Sequence, residues 1–150
     1  VASASGSREI LSSHKVHITA DALAEEVDYS DVDLVVLPGG IPGTPNLAAN
    51  KTVTDTCVAF AKAGKKVAAI CAAPTILAML GITDGRRATC YPGCEGQMGS
   101  ADMVCAPAVT DGKLITGTSA GCAVPFGLAL IAALKGQAAA QAVAEQIVIR

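Results

Sequence analysis

The chain has 150 residues, enough to bury a sizeable core in one domain, and half of them are hydrophobic although only 3% are aromatic and none is Trp. A core of Ala, Val, Leu and Ile suits layered α/β packing. With 11 basic and 13 acidic residues the formal charge is −2, and Lys and Arg never cluster beyond a pair, which argues against nucleic acid or an anionic membrane as partner.

The first residues, Val1 to Ser7, are small and polar and have no regular period, like the tail of a strand or an excised start. Arg8 to Thr19 alternates loosely through Ile10, Val16 and Ile18, as an extended ribbon would. Asp21 to Glu26 places an N-cap candidate before helix formers and predicts a short helix. Asp33 to Leu37 is a continuous apolar run of the kind buried on both faces in a parallel sheet. It ends in Pro38-Gly39-Gly40, where glycine permits unusual backbone angles and close approach to a ligand. Either that use or a loop that merely needs glycine accounts for the pair.

Lys51 to Gly64 predicts a helix with Val53, Cys57, Val58, Phe60 and Ala61 on its apolar side and a glycine stop. The chain then runs from the strand Val67 to Ile70, through Cys71-Ala72-Ala73-Pro74, straight into the helical stretch Thr75 to Leu80. A strand that turns sharply into a helix leaves one residue at the bend, at the carboxyl end of the sheet. Here that residue is Cys71. A thiol so placed lies near the positive end of the next helix, which favours thiolate, and the amides of that first turn can donate to an oxyanion. The alternative is a buried, inert cysteine.

Further elements follow in sequence. Arg86 to Tyr91 predicts a strand, Pro92 to Ser100 a loop or short irregular helix, and Asp111-Gly112 a hairpin turn before the strand Lys113 to Thr118. Ser119-Ala120-Gly121 makes a second strand-to-helix bend, Val124 to Leu134 a helix, and Gln137 to Gln146 a final Ala-rich helix. The order predicts a three-layer α/β/α sandwich with a mainly parallel sheet. In such a sheet ligands bind at the carboxyl ends of the strands, where both Gly39-Gly40 and Cys71 fall.

The six cysteines, Cys57, Cys71, Cys90, Cys94, Cys105 and Cys122, read as reduced thiols of a cytoplasmic protein, since a core of this size needs no disulfide staples and no signal peptide is visible. The spacing of Cys90 and Cys94, with His14 and His17 the chain's histidines, is a poor zinc motif. No metal or cofactor is expected. The apolar stretch Ala123 to Leu134 is too short to span a bilayer.

Leu37-Pro38-Gly39-Gly40, Ala69-Ile70-Cys71-Ala72-Ala73-Pro74 and Thr118-Ser119-Ala120-Gly121, with Pro125-Phe126-Gly127-Leu128-Ala129 in the next helix, resemble the ThiJ/PfpI superfamily, in the branch of the Parkinsonism-associated protein deglycase and its bacterial relatives. The resemblance runs from about Ser7 to Leu134. It implies a flavodoxin-like fold, a homodimer, Cys71 as an oxidisable nucleophile, and the amides of Gly40 and Ala72 as an oxyanion pocket. Gly39, Tyr91, His14 and Cys122 fall at pocket positions. Tyr91 stands where human-like members carry histidine, and Cys122 replaces a common proline and is a candidate resolving thiol.

The branch also carries a glutamate that hydrogen-bonds the cysteine, in a helix after a first strand that should precede Val1. The expectation is therefore a single domain, residues 1–150, lacking that strand-helix unit, which would either be truncated or remain bound as a separate N-terminal peptide. Glu95 is a poor replacement acid. The implied activity is a cysteine-dependent glyoxalase or deglycase acting on α-oxoaldehydes such as methylglyoxal, or on their amine adducts. The alternatives are a redox-sensing or chaperone-like stress protein and, less favoured without a histidine beside the cysteine, a peptidase.

Overall fold

The computed structural model describes residues 1–149. Its strands, in chain order, are β1 (Ala2–Ser3), β2 (Glu9–Leu11), β3 (His17–Thr19), β4 (Ala22–Leu23) and β5 (Leu34–Leu37), then β6 (Lys66–Ile70), β7 (Arg87–Ala88), β8 (Asp102–Met103), β9 (Ala108–Asp111) and β10 (Leu114–Gly117). The helices are α1 (Gly43–Ala49), α2 (Lys51–Lys62), α3 (Pro74–Met79), α4 (Ala123–Lys135) and α5 (Gln137–Gln146). None of these helices is long and apolar enough to cross a membrane.

The central sheet has the order β5-β6-β10-β9, with β9 alone antiparallel. Alternate residues of a strand face opposite sides, and β6 uses this fully. Val67 and Ala69 join Cys57 and Phe60 of α2 and Ile76 and Leu77 of α3 in one cluster. Ala68 joins Ile115 and, from α4, Phe126 and Leu130 in the other. Helices on both faces make the three-layer sandwich that the order of elements predicted, of the flavodoxin-like kind that the resemblance implies. The chain's two phenylalanines are divided between the layers, Phe60 on one side and Phe126 on the other. Gly117 makes room for the second: a Cβ there would lie 2.8 Å from the Phe126 ring.

Four stretches differ in detail from the sequence reading. Asp21 to Glu26 is not a helix: Ala22 and Leu23 pair in parallel with Ala2 and Ser3, which leaves only a single helical turn, Ala24–Glu26. The strand expected over Arg86 to Tyr91 shrinks to β7, because the Thr89 amide donates to the Thr116 hydroxyl, 2.9 Å away, and not to a neighbouring backbone. The Gly- and Pro-rich segment after Gly40 contains α1, whose Pro45 falls in the first turn, where no intrahelical donor is lost. Asn50 then caps α2 by accepting from the Val53 amide at 3.1 Å.

The fourth concerns Asp33 to Leu37. Of β5 only Leu37 is buried, and Val36 is 41% exposed, because among the described residues β5 pairs with β6 on one side and with nothing on the other. The β1–β4 pair and the β2–β3 hairpin form separate small sheets.

Register sets the site. Leu37 pairs with Ala69 and Gly117 with Ile70, so the parallel strands end level. Pro38-Gly39-Gly40, Cys71 and Thr118-Ser119 therefore emerge along one rim, the carboxyl edge of the sheet.

Candidate active site

Cys71 takes the first position after β6 with φ +66°, in the left-handed region that a side chain rarely adopts. Such a conformation costs about 1–3 kcal/mol and persists only when the surroundings over-determine it. They do so here. The Cys71 amide donates to the Gly117 carbonyl at 2.9 Å, and the Cys71 carbonyl accepts from the Tyr91 amide at 2.8 Å. Ala73 closes the bend by donating to Ile70 at 3.2 Å, and Pro74 starts α3 in a place where its missing donor costs nothing. The side chain of Cys71 is half-buried, and its Sγ has no hydrogen-bond partner among the described residues.

Gly39 is packed against this bend. A Cβ added there would lie 2.6 Å from the Ile70 carbonyl oxygen, 2.7 Å from Cys71 Cβ and 3.0 Å from the Ala72 nitrogen. Gly40 follows with φ +95°, and its carbonyl accepts from the Thr44 amide at 2.8 Å, which starts α1. The N–H groups of Gly40 and Ala72 donate to nothing among the described residues. Two unengaged donors thus belong to segments in van der Waals contact beside a thiol. Such donors can stabilise charge that develops on a carbonyl oxygen attacked by sulfur.

The other residues singled out in the sequence are placed unevenly. Tyr91 is tied to the elbow through its backbone, while the residue is 48% exposed and its hydroxyl makes no hydrogen bond among the described residues. Cys122 ends the turn that leads into α4, with Ser119 Oγ donating to its Sγ at 3.6 Å; it is a free thiol and is not bonded to Cys71. His14 sits in the exposed turn of the β2–β3 hairpin, and its ring pairs with neighbouring Ser13 at 3.1 Å rather than with any group of the elbow. Glu95 accepts from the Gly93 amide at 2.7 Å and so shapes its own loop. No three His, Cys, Asp or Glu side chains among the described residues gather as metal ligands.

Two of the other thiols, Cys57 and Cys90, are buried where Cys71 is half-buried. Burial pushes Cys57 up to about 11, and burial, with Glu95 and Cys94 nearby, pushes Cys90 up to about 11, so both stay protonated and unreactive near neutrality.

Sequence reasoning missed a run of hydroxyls behind the rim. Thr116 Oγ1 accepts from the Thr89 amide, Thr89 Oγ1 lies 2.9 Å from Thr118 Oγ1, and Thr118 Oγ1 donates to the Ala106 carbonyl. This run fixes the end of β10 against the segment that delivers Tyr91. In sequence, these threonines look like ordinary strand formers.

The fold is a mainly parallel three-layer sandwich with a cysteine held at a left-handed strand-to-helix bend. The DJ-1/PfpI family model matches residues 1–133, and the chain belongs to that family. It is similar to protein dj-1beta of Drosophila melanogaster, 33% identical over an aligned length of 151 residues, which covers 99% of this chain and 81% of that one. It is 35% identical over 109 residues to a protein named a deglycase from Pyrococcus abyssi, covering 71% of this chain and 65% of the relative. Against protein DJ-1 homolog B of Arabidopsis thaliana it is 30% identical over 138 residues, 91% of this chain but 32% of that protein's length. Among solved structures, oxidised DJ-1 of Toxoplasma gondii superposes with a TM-score of 0.93 at 28% identity, covering 99% of this chain and 81% of that one.

Proposed function

We propose that the chain is the cysteine-bearing body of a deglycase-type enzyme that acts on α-oxoaldehydes such as methylglyoxal, or on their early adducts with amines. The observation that carries this reading is Cys71, half-buried at φ +66° beside the two unengaged amides of Gly40 and Ala72. The deglycase name of the Pyrococcus relative supports it. The thiolate adds to the aldehyde carbon, and the oxygen that gains the negative charge takes the Gly40 and Ala72 hydrogen bonds. A proton then moves from the former aldehyde carbon to the neighbouring one, leaving a thioester, and water releases the hydroxy acid and the thiol. The test is lactate formation from methylglyoxal, which Cys71→Ala should abolish; an unchanged rate would reject the proposal.

That proton transfer needs a base, and among the described residues no carboxylate hydrogen-bonds Cys71. We propose that the glutamate which the resemblance implies arrives on a strand-helix unit that pairs with the open edge of β5. The half-exposed apolar residues of β5 support a strand there, because an unpaired edge of this kind is otherwise an aggregation hazard. The homodimer and the cytoplasmic location belong to the same proposal. Intact mass under denaturing conditions tests the bound-peptide form: a second species of a few kilodaltons supports it, and 14.9 kDa alone rejects it for that sample.

A second reading is redox sensing through oxidation of Cys71. The oxidised state named for the Toxoplasma relative favours it, as does the burial of Cys57 and Cys90, which removes two competing thiols. Peroxide titration followed by intact mass and peptide mapping separates the outcomes. Addition of two oxygens at Cys71 alone supports sensing, and loss of two hydrogens reports a disulfide instead.

A further inference from the structure

A cleft of about 440 Å³ opens at the opposite end of the sheet from Cys71, between the end of α2, the segment joining α3 to β7 and the start of β10. Its floor is apolar: Val67 and Leu114, paired in register on adjacent strands, are each 2% exposed. Its rim is cationic. Lys62, Arg86 and Lys113 line it, and among the described residues none of the three makes an ion pair or a side-chain hydrogen bond. Lys65, the fourth cation of the lining, is already used. Its Nζ donates to the carbonyls of Tyr29, Ser30 and Val32 at 3.2, 2.7 and 2.9 Å and lies 5.1 Å above the Phe60 ring.

The cations of the lining outnumber its one carboxylate: Lys62, Lys65, Arg86 and Lys113 stand against Asp84. Asp84, the one carboxylate of the lining, accepts the Ser100 hydroxyl at 2.7 Å. The carbonyl end of α2 is closed by its own continuation: Ala59, Phe60 and Ala61 accept from the amides of Ala63, Lys65 and Gly64. Three unpaired cations above an apolar floor, in excess of the one carboxylate Asp84, match a ligand with a doubly charged head and a short apolar body. The guanidinium fork of Arg86 suits phosphate oxygens, and the two ammonium groups add point charges. The volume lies within the roughly 300–1,000 Å³ usual for small-molecule sites.

We propose that this cleft binds a small organic phosphate monoester, its apolar part on Val67 and Leu114 and its phosphate among Lys62, Arg86 and Lys113. The site is separate from the elbow, since the four-residue step from Val67 to Cys71 along an extended strand covers roughly 13 Å. It stands whether or not Cys71 is a catalyst.

The probe is hexyl phosphate, titrated into the 15N-labelled protein and followed by amide chemical shifts. Saturable shifts at Gly64, Val67, Gly112 and Leu114, with Gly39 and Cys71 unmoved, are the expected result. Inorganic phosphate, which lacks the apolar body, and hexanol, which lacks the charge, should each bind roughly tenfold more weakly or less. The double variant Lys62→Glu/Lys113→Glu changes only exposed side chains, and it should weaken hexyl phosphate by at least about tenfold. Lys15→Glu/Lys135→Glu, which makes the same charge change elsewhere, should leave it unchanged. Absent or non-saturable shifts, shifts centred on the elbow, or equal weakening by both double variants would overturn the proposal.

Discussion

A Cβ on Gly39 would stand 2.7 Å from the Cβ of Cys71, closer than real Cβ atoms approach, and 2.6 Å from the Ile70 carbonyl oxygen. Both obstacles belong to the bend and not to a flexible side-chain tip, so something in the bend must shift. Overpacking of this kind costs about 1–3 kcal/mol. Gly39→Ala should therefore lower stability by about that amount and, by displacing the thiol from the unengaged amides, cut reactivity far more than stability; a 1 Å misplacement alone can cost about a hundredfold. Urea melts and the rate of methylglyoxal turnover, measured on the same preparation, check both halves.

Cys71 itself separates conformation from chemistry. Cys71→Ala and Cys71→Gly both remove the thiol, but only glycine accepts φ +66° without steric cost. A Cβ in the left-handed region costs about 1–2 kcal/mol, so the glycine variant should be the more stable of the two by about 1 kcal/mol, part of the gain being lost to its freer unfolded chain. Both should be inactive. Thermal unfolding gives the comparison, and an alanine variant at least as stable as the glycine variant would show that the left-handed angle is not held in solution.

How much of this was readable beforehand depends on where each constraint comes from. The elbow was legible because the strand Val67 to Ile70 runs through Cys71-Ala72-Ala73-Pro74 straight into the helical stretch Thr75 to Leu80, and so sharp a bend forces one residue into an unusual angle. The exposure of β5 was not legible in its own residues, because Asp33 to Leu37 has the composition of a strand flanked on both sides, whereas among the described residues it pairs with β6 alone. The α1 helix was hidden by Gly43 and Pro45, which look like loop residues until a first turn accommodates them. Tyr91 meets Cys71 through a backbone amide that any residue but proline would supply, so its identity carried no signal. The cationic cleft draws on α2, β6, the α3–β7 segment and β10, which are far apart in the chain, and no local pattern announces it.

The buried thiols make a pH prediction with a definite sign. Burial raises Cys57 to about 11 in the folded protein, whereas an exposed thiol titrates near 8.5–9. Below about pH 8.5 both states keep the proton and the contribution is constant. As the pH rises further, the unfolded chain ionises first and unfolding is favoured, so stability falls until about pH 11 and then levels. Cys90 is raised to about 11 as well and acts in the same direction. Urea melts from about pH 8 to about pH 11 should show a steeper decline for the native sequence than for Cys57→Ala, other titrations being common to both. Parallel declines would mean that Cys57 ionises in the folded state as freely as in water.

Thr116 offers the sharpest test of what holds the rim together. It is fully buried, and its hydroxyl accepts the Thr89 amide at 2.9 Å, standing in for a ladder partner that β7 no longer provides. Thr116→Val keeps the shape and deletes the acceptor, leaving a buried N–H unsatisfied, at a cost of about 1–3 kcal/mol. Two residues beyond Thr89, Tyr91 donates to the Cys71 carbonyl, so loosening this segment loosens one of the two bonds that pin the elbow. The expected outcome is a stability loss in that range, with faster hydrogen exchange at both Thr89 and Tyr91. Thr118→Val, which touches the same run but leaves the Thr89 amide bonded, should cost less and leave exchange at Tyr91 unchanged. Equal exchange at Tyr91 in the two variants would show that the elbow is held independently of the threonines.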